Sequence, residues 1–226
     1  IYDLSKKNGL TDLKFINEKQ IKTIDSNIIS KEGLFCPSSG IIDKSMLLKS
    51  LFEDCLTYNS NFSFIPNFNS ISLKQKNDEY SFDFNGNNLQ FNFMINCTGI
   101  DSPTFHKKII DAKLDIFPNP VFGSYLTLKK KLKLNTIIYT SLNPGTIRER
   151  VDATPTFDNN IIFGPSVDNK LPDTKSLIDR FHKVITNYIQ IEKENLKFSF
   201  YGIRPKAINK KGFIKDYLFL KNSKNN

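Results

Sequence analysis

The chain reads as a mixed α/β protein, α/β or α+β in class, on three features of its sequence. The apolar run FMINCTG (93–99) closes on Thr98-Gly99 and leads into a helical segment, which suits a sheet whose backbone must approach a ligand. From Val121 to Phe163 short β-rich runs follow one another between turns, the texture of antiparallel sheet. Asp173 to Ile191 then carries Leu177, Ile178, Phe181, Ile185, Tyr188 and Ile189 on one side of an amphipathic helix.

Each element has its own local signal. Asn17 followed by Gln20 resembles a capping pair and predicts a short helix over 17–24. GLFCPSSG (33–40) is a strand ending in a turn. Asp43 is placed to cap a longer helix reaching Tyr58, in which Leu48, Leu51, Phe52 and Cys55 recur every three to four residues and form one buried face. Four strand-like runs follow, Phe62 to Ile65, Ser70 to Lys74, Tyr80 to Phe84 and Leu89 to Asn96, and Asn85-Gly86 joins the last two as a hairpin. A helix is expected over 104–112. The antiparallel region comprises Val121 to Leu128, Thr136 to Thr140, Arg148 to Thr154 and Asn160 to Phe163. Beyond the 173–191 helix, strands are expected at Phe198 to Ile203 and Phe213 to Leu220, ahead of the polar tail KNSKNN.

Composition narrows the function classes. With 39% hydrophobic and 12% aromatic residues in 226, the chain has apolar material for one large or two small cores. No apolar run approaches the roughly 20 residues that span a bilayer. A soluble, cytoplasmic or membrane-peripheral protein is expected. The net charge of +9 comes from scattered lysines, and Lys129-Lys130-Lys131 with Lys133 reads as a solvated loop, so nucleic acid is not an expected partner. Cys36, Cys55 and Cys97 lack ligand spacing and are odd in number, which fits a reducing compartment. His106 and His182 read as ordinary helix or surface histidines, and no metal site is expected. The chain begins on Ile1 without a signal-like segment, and its start reads as cut.

Five segments in order, GLFCPSSGIID (33–43), FMINCTGID (93–101), PVFGSYLTL (120–128), TPTFDNNIIFGPSVD (154–168) and YGIRPKA (201–207), resemble the L-2-hydroxyglutarate dehydrogenase/oxidase branch of the D-amino-acid oxidase superfamily. The resemblance implies part of an FAD-binding Rossmann-like domain plus a substrate domain on an antiparallel or mixed sheet. Residues 1–112 would be partial FAD domain, 113–200 substrate domain, and 201–226 a truncated return to the FAD domain. The GxGxxG turn that presents amides to the pyrophosphate does not occur in the chain, nor does the later segment along the flavin ring, so truncation at both ends is expected.

The resemblance also implies roles for particular residues. Arg204 in GIRP would fix the substrate carboxylate with its rigid fork of donors. Tyr125 in PVFGSY, where Phe122 replaces the family's basic residue, and Thr154 would line the substrate pocket. Asp152 stands where the family has a histidine that takes the hydroxyl proton, and Arg150 where it has glycine. Phe68, Thr98, Gly99, Gly202 and Ile203 would meet the cofactor. The implied function is FAD-dependent oxidation of a 2-hydroxy acid such as L-2-hydroxyglutarate, with a quinone or oxygen as electron acceptor. The alternatives are a glycine or D-amino-acid amine oxidase, and a non-catalytic remnant that keeps the fold.

Overall fold

The computed structural model describes residues 2–66, 73–76, 79–84, 87–109, 113–140, 150–214 and 218–220. In chain order the elements begin with α1 (Tyr2–Lys7), β1 (Lys14–Asn17), α2 (Glu18–Ile24), β2 (Glu32–Phe35) and α3 (Lys44–Tyr58). They continue with β3 (Leu73–Lys76), β4 (Glu79–Phe84), β5 (Asn87–Phe91), α4 (Ser102–Ile109) and β6 (Phe117–Leu128). The last are β7 (Asp152–Pro155), β8 (Ile161–Gly164), α5 (Thr174–Ile185), β9 (Leu196–Asn209) and β10 (Gly212–Phe213). The result is a mixed α/β architecture with antiparallel sheets, as the sequence predicts.

The chain packs as two compact units, Ile1–Asp43 with Phe122–Gly202 and Lys44–Val121 with Ile203–Asn226. Packing thus groups residues 1–43 with the 122–202 sheet, although the sequence reading put them with 44–112. The reason is local. Ile21 and Ile28 enter the same core as α5, Ile28 bridges Ile189, and buried Asp25 accepts backbone N–H bonds from Asn27 at 2.8 Å and Asn135 at 2.7 Å.

In the first unit the strands lie in the order β9-β6-β8-β7. Leu126 faces Phe163 across β6 and β8, and Ala153 faces Phe163 across β7 and β8. These side chains pack on Leu177, Phe181 and Ile185 of α5, all fully buried. Truncating a phenylalanine such as Phe163 or Phe181 in such a core costs about 3–5 kcal/mol. The expected capping box is present: the Asn17 side chain accepts from the Gln20 N–H at 3.0 Å, and the Gln20 side chain accepts from the Asn17 N–H at 2.9 Å. Asp173 caps α5 by accepting from the Ser176 N–H at 2.9 Å.

The α5 helix stops at Ile185, short of the expected 191. The Thr186 hydroxyl and the Asn187 amide donate to the carbonyls of His182 and Lys183, which ends the last turn. Tyr188 then swings inward to donate its hydroxyl to Val151 O at 2.8 Å, so the apolar residues past the helix are still buried. Thr136 to Thr140 forms no strand; it contributes a single antiparallel bridge, Ile138 to Ala153.

In the second unit β3, β4 and β5 form an antiparallel sheet. Phe84 stands opposite Asn87, so the predicted hairpin is present, while its Asn85-Gly86 turn lies outside the described residues. Tyr80 stacks on Phe91 with ring centroids 5.7 Å apart. A 3-10 turn at Gly99–Asp101 leads into α4, and β10 pairs with the end of β9, Phe213 opposite Ile208.

Other sequence expectations fail in this unit for one physical reason, that periodicity specifies a face but not what covers it. The α3 helix forms over the expected residues, yet its apolar side is not buried: Leu48 is 65% exposed, and Leu51 and Cys55 are also exposed. Among the described residues Phe52 gains aromatic neighbours, with Phe62 and Phe64 edge-on at 5.8 and 5.4 Å. Phe62 to Ile65 carries no ladder, and neither does Phe93 to Cys97, where Phe93 is 78% exposed. An extended run becomes a strand only beside a partner, and no described strand pairs with either. Near the C-terminus the described ladder comprises Gly212–Phe213, and among the described residues 218–220 form no strand.

Candidate active site

The site is built on Gly164, which ends β8. Its φ of +137° lies where side-chain-bearing residues are strained, and the missing side chain lets β6 approach closely. A Cβ placed there would stand 2.9 Å from Tyr125 Cδ1 and 2.9 Å from Ser124 O. One residue back along the β6–β8 ladder from Leu126 and Phe163, Tyr125 therefore lies across Gly164. On the other side, Asp152 of β7 is the partner of Gly164.

Strand alternation then sorts the side chains. Leu126, Val151, Ala153 and Phe163 enter the core, which leaves Tyr125, Asp152 and Thr154 on the opposite face of the same sheet, with Arg150 two residues before Asp152. Tyr125 is stacked from the β9 side by Phe200, with centroids 4.6 Å apart and planes 21° from parallel. The face thus reads Asp152, Gly164, Tyr125, Phe200 across β7, β8, β6 and β9.

Asp152 is held on both oxygens. Arg150 Nε donates to Oδ1 at 2.8 Å and Oδ2 at 3.0 Å, and the Thr140 N–H donates to Oδ1 at 3.2 Å. The Asp152 side chain is 14% exposed, and that of Arg150 is 48% exposed. The hydrogen bond to Asp152 raises the Arg150 pKa above its ordinary value, so the guanidinium is firmly charged. Its centre lies 5.1 Å from the Tyr139 ring centroid. On the core side, burial first and the Asp152 charge second push the Tyr188 hydroxyl pKa well up, so it stays a neutral donor to Val151 O.

The remaining sequence-predicted residues fall elsewhere. Gly202 is exposed on β9 in the first unit, with no atom within 4 Å of a Cβ built on it. Ile203, exposed, and Arg204, half-buried, lie on the part of β9 belonging to the second unit. Thr98 and Gly99 form a turn in that unit: the Asn96 side chain accepts from the Thr98 N–H at 3.2 Å and hydroxyl at 2.8 Å, and donates to Ser102 O at 3.0 Å. Gly99 has φ +63° and open space around a Cβ built on it, so this turn fits the close approach of a nucleotide. The 226 residues contain no GxGxxG, so they supply the turn and not that phosphate cradle. Phe68 lies outside the described residues.

Sequence reasoning passed over Gly164 and Phe200 and treated Arg150 only as a departure from a pattern. The available signals were FGP itself and the two-residue spacing of Asp152 and Thr154, which places them on one strand face, with Arg150 two residues before them. Among the described residues no helix is long and apolar enough to cross a membrane.

Comparisons with known proteins fit this architecture. The chain is 21% identical over 235 residues to a glycerol 3-phosphate dehydrogenase of Caloramator mitchellensis, an alignment covering 95% of the chain and 48% of that protein. Its fold is similar to L-alpha-glycerophosphate oxidase from Mycoplasma pneumoniae, solved with FAD bound, at TM-score 0.69 and 18% identity over 92% of this chain and 58% of that one. Glycine oxidase from Bacillus cereus ATCC 14579 gives TM-score 0.68 and 14% identity, covering 92% and 55%. The chain therefore spans about half the length of these proteins. The FAD dependent oxidoreductase (DAO) family matches residues 1–220, and the chain belongs to that family.

Proposed function

We propose that the protein oxidises the CH–OH group of a small anionic hydroxy compound, a class that includes 2-hydroxy acids such as L-2-hydroxyglutarate and also glycerol 3-phosphate. The observation that carries this reading is the single sheet face presenting Tyr125, Thr154 and the Arg150–Asp152 pair, hydroxyl and guanidinium donors suited to an oxygen-rich anion. The hydroxy-compound reading is supported by relatives named for glycerol 3-phosphate dehydrogenation and glycerophosphate oxidation.

FAD, when bound, would supply the two-electron acceptance that the reaction needs, the carbon giving up hydride and the hydroxyl releasing its proton to water as the carbonyl forms. The chain's own residues bind and orient. Arg204 is assigned the substrate carboxylate, because its planar fork fixes a carboxylate in one orientation. Tyr125, braced by Phe200, and Thr154 offer hydroxyls to the substrate. Both oxygens of Asp152 are already accepting, so its role is to hold Arg150 in place. Thr98 and Gly99 stand beside the cofactor's nucleotide portion, and Phe68, Gly202 and Ile203 are assigned to it with them. Electrons pass on to a quinone or oxygen.

The test is anaerobic mixing of the flavin-loaded protein with L-2-hydroxyglutarate, glycerol 3-phosphate and glycine in turn. Bleaching of the oxidised flavin band by a hydroxy compound is the expected result. Bleaching by glycine alone establishes amine oxidation instead, and no bleaching by any of them favours the non-catalytic remnant.

A further inference from the structure

We infer that Arg150 is the anion-binding residue of the sheet face, receiving a carboxylate or phosphate of the substrate on the outer ends of its guanidinium. The inference rests on the reading above and names the residue that selects charged over neutral hydroxy compounds.

Three observations carry it. Arg150 lies just before β7, and its bonds to Asp152 put its side chain on the side of that carboxylate, the face that holds Tyr125. Its contact with Asp152 runs through Nε alone, at 2.8 and 3.0 Å. A guanidinium carries five N–H donors, so this leaves the four on Nη1 and Nη2 unspent by the pair. An arginine recruited only to neutralise a carboxylate commonly engages it as a two-pronged fork; here the carboxylate grips the root of the group.

The third observation is orientation. Tyr139 lies against the guanidinium at 5.1 Å, and the Thr140 N–H fixes the carboxylate that grips it. The side chain is nevertheless 48% exposed, so a ligand can reach it. Asp152 is 14% exposed, so the pair holds a half-buried carboxylate, yet it uses the guanidinium at Nε and leaves the outer ends toward the exposed side. Bracing lowers the ordering cost when an anion docks. Asp152 is then a positioning residue: it sets the direction of the fork without occupying its ends.

The experiment uses the full-length flavin-loaded protein and its Arg150→Gln, Arg150→Lys and Asp152→Asn variants. Calorimetric titration with glutarate and with inorganic phosphate, neither of which is oxidised, reads binding apart from turnover. Anaerobic flavin reduction by glycerol 3-phosphate, L-2-hydroxyglutarate and neutral glycerol reads selectivity. Arg150→Gln is expected to weaken anion binding about 10- to 100-fold, the loss of one charge-assisted contact. Reduction by neutral glycerol should fall far less than reduction by the two anionic hydroxy compounds. Arg150→Lys should share the loss, since a point charge on a flexible stem does not present a fixed fork to the ligand, and Asp152→Asn should show a smaller one. Glutarate against phosphate separates a carboxylate site from a phosphate site. Anion binding undiminished in Arg150→Gln, or an equal loss for glycerol, overturns the inference. Arginine-dependent glutarate binding without flavin reduction by any hydroxy compound would instead sink the proposed reaction and leave the anion site standing.

Discussion

Replacing Gly164 with alanine puts a methyl group into the tightest contact of the sheet face. Two costs add. The backbone is at φ +137°, a region where a residue with a side chain is strained by about 1–3 kcal/mol. The new Cβ would also stand 2.9 Å from the Ser124 carbonyl oxygen and 2.9 Å from the Tyr125 ring. Overpacking of this kind costs a further 1–3 kcal/mol or so. The ring can move aside, but the carbonyl belongs to the β6 backbone and cannot move without disturbing the ladder through Leu126 and Phe163. A total of about 2–6 kcal/mol is expected. Urea unfolding of Gly164→Ala beside wild type measures it. Repeating the substitution in a Tyr125→Ala background should lower the cost by only about 1 kcal/mol, because the ring clash goes while the carbonyl contact and the strain remain. A Gly164→Ala protein within about 0.5 kcal/mol of wild type would refute the geometry on which the site is built.

Three further outcomes are expected. Tyr188→Phe should lower stability by about 1–2 kcal/mol in urea unfolding, since it strands the Val151 carbonyl that now accepts at 2.8 Å in a buried setting. Asp168 is buried enough to favour its neutral form, but hydrogen bonds from Arg180 and Ser166 overcome this and hold its pKa below the ordinary value. A carboxyl whose folded pKa is depressed stabilises above the unfolded value of about 3.9, and that contribution is lost as pH falls through the folded value. Thermal melts of Asp168→Asn and wild type should therefore differ at neutral pH and converge as pH falls through the folded value, whereas a constant difference would remove the charge from the explanation. Finally, Arg204→Lys should lower kcat/KM for the 2-hydroxy acid roughly 30- to 1000-fold with flavin content unchanged, because a point donor cannot align a carboxylate as a fork does. Loss of flavin along with activity would make Arg204 structural.

Features encoded within a few residues were legible in the sequence. The Asn17–Gln20 box and the Asp173 cap are local hydrogen bonds between backbone and a nearby side chain, and both form. The antiparallel runs around β6, β7 and β8 followed from alternation. What escaped depends on distant partners. The inward turn of the chain past α5 rests on Tyr188 reaching Val151, 37 residues away in sequence. The α3 periodicity announced an apolar side that the described residues leave exposed. FMINC has strand composition but no described neighbour to pair with. At the site, Tyr125, Asp152 and Thr154 were named individually from the sequence, but that Gly164 lies between Tyr125 and Asp152 becomes visible only once the register of β8 is known. Arg150 looked like a lost glycine because the pattern was read position by position. Its meaning comes from the carboxylate two residues on.

The central claim is that the β7-β8-β6-β9 face carrying Arg150, Asp152, Gly164, Tyr125 and Phe200 is the substrate-facing wall of the flavoprotein. Its most direct test is a crystal structure of the flavin-loaded protein soaked with glutarate, a dicarboxylate that lacks the hydroxyl to be oxidised. The account predicts a carboxylate within hydrogen-bonding distance of the Arg150 guanidinium ends, on the same side of the sheet as the Tyr125 ring. Glutarate bound away from this face, with the face itself covered by protein, would contradict it.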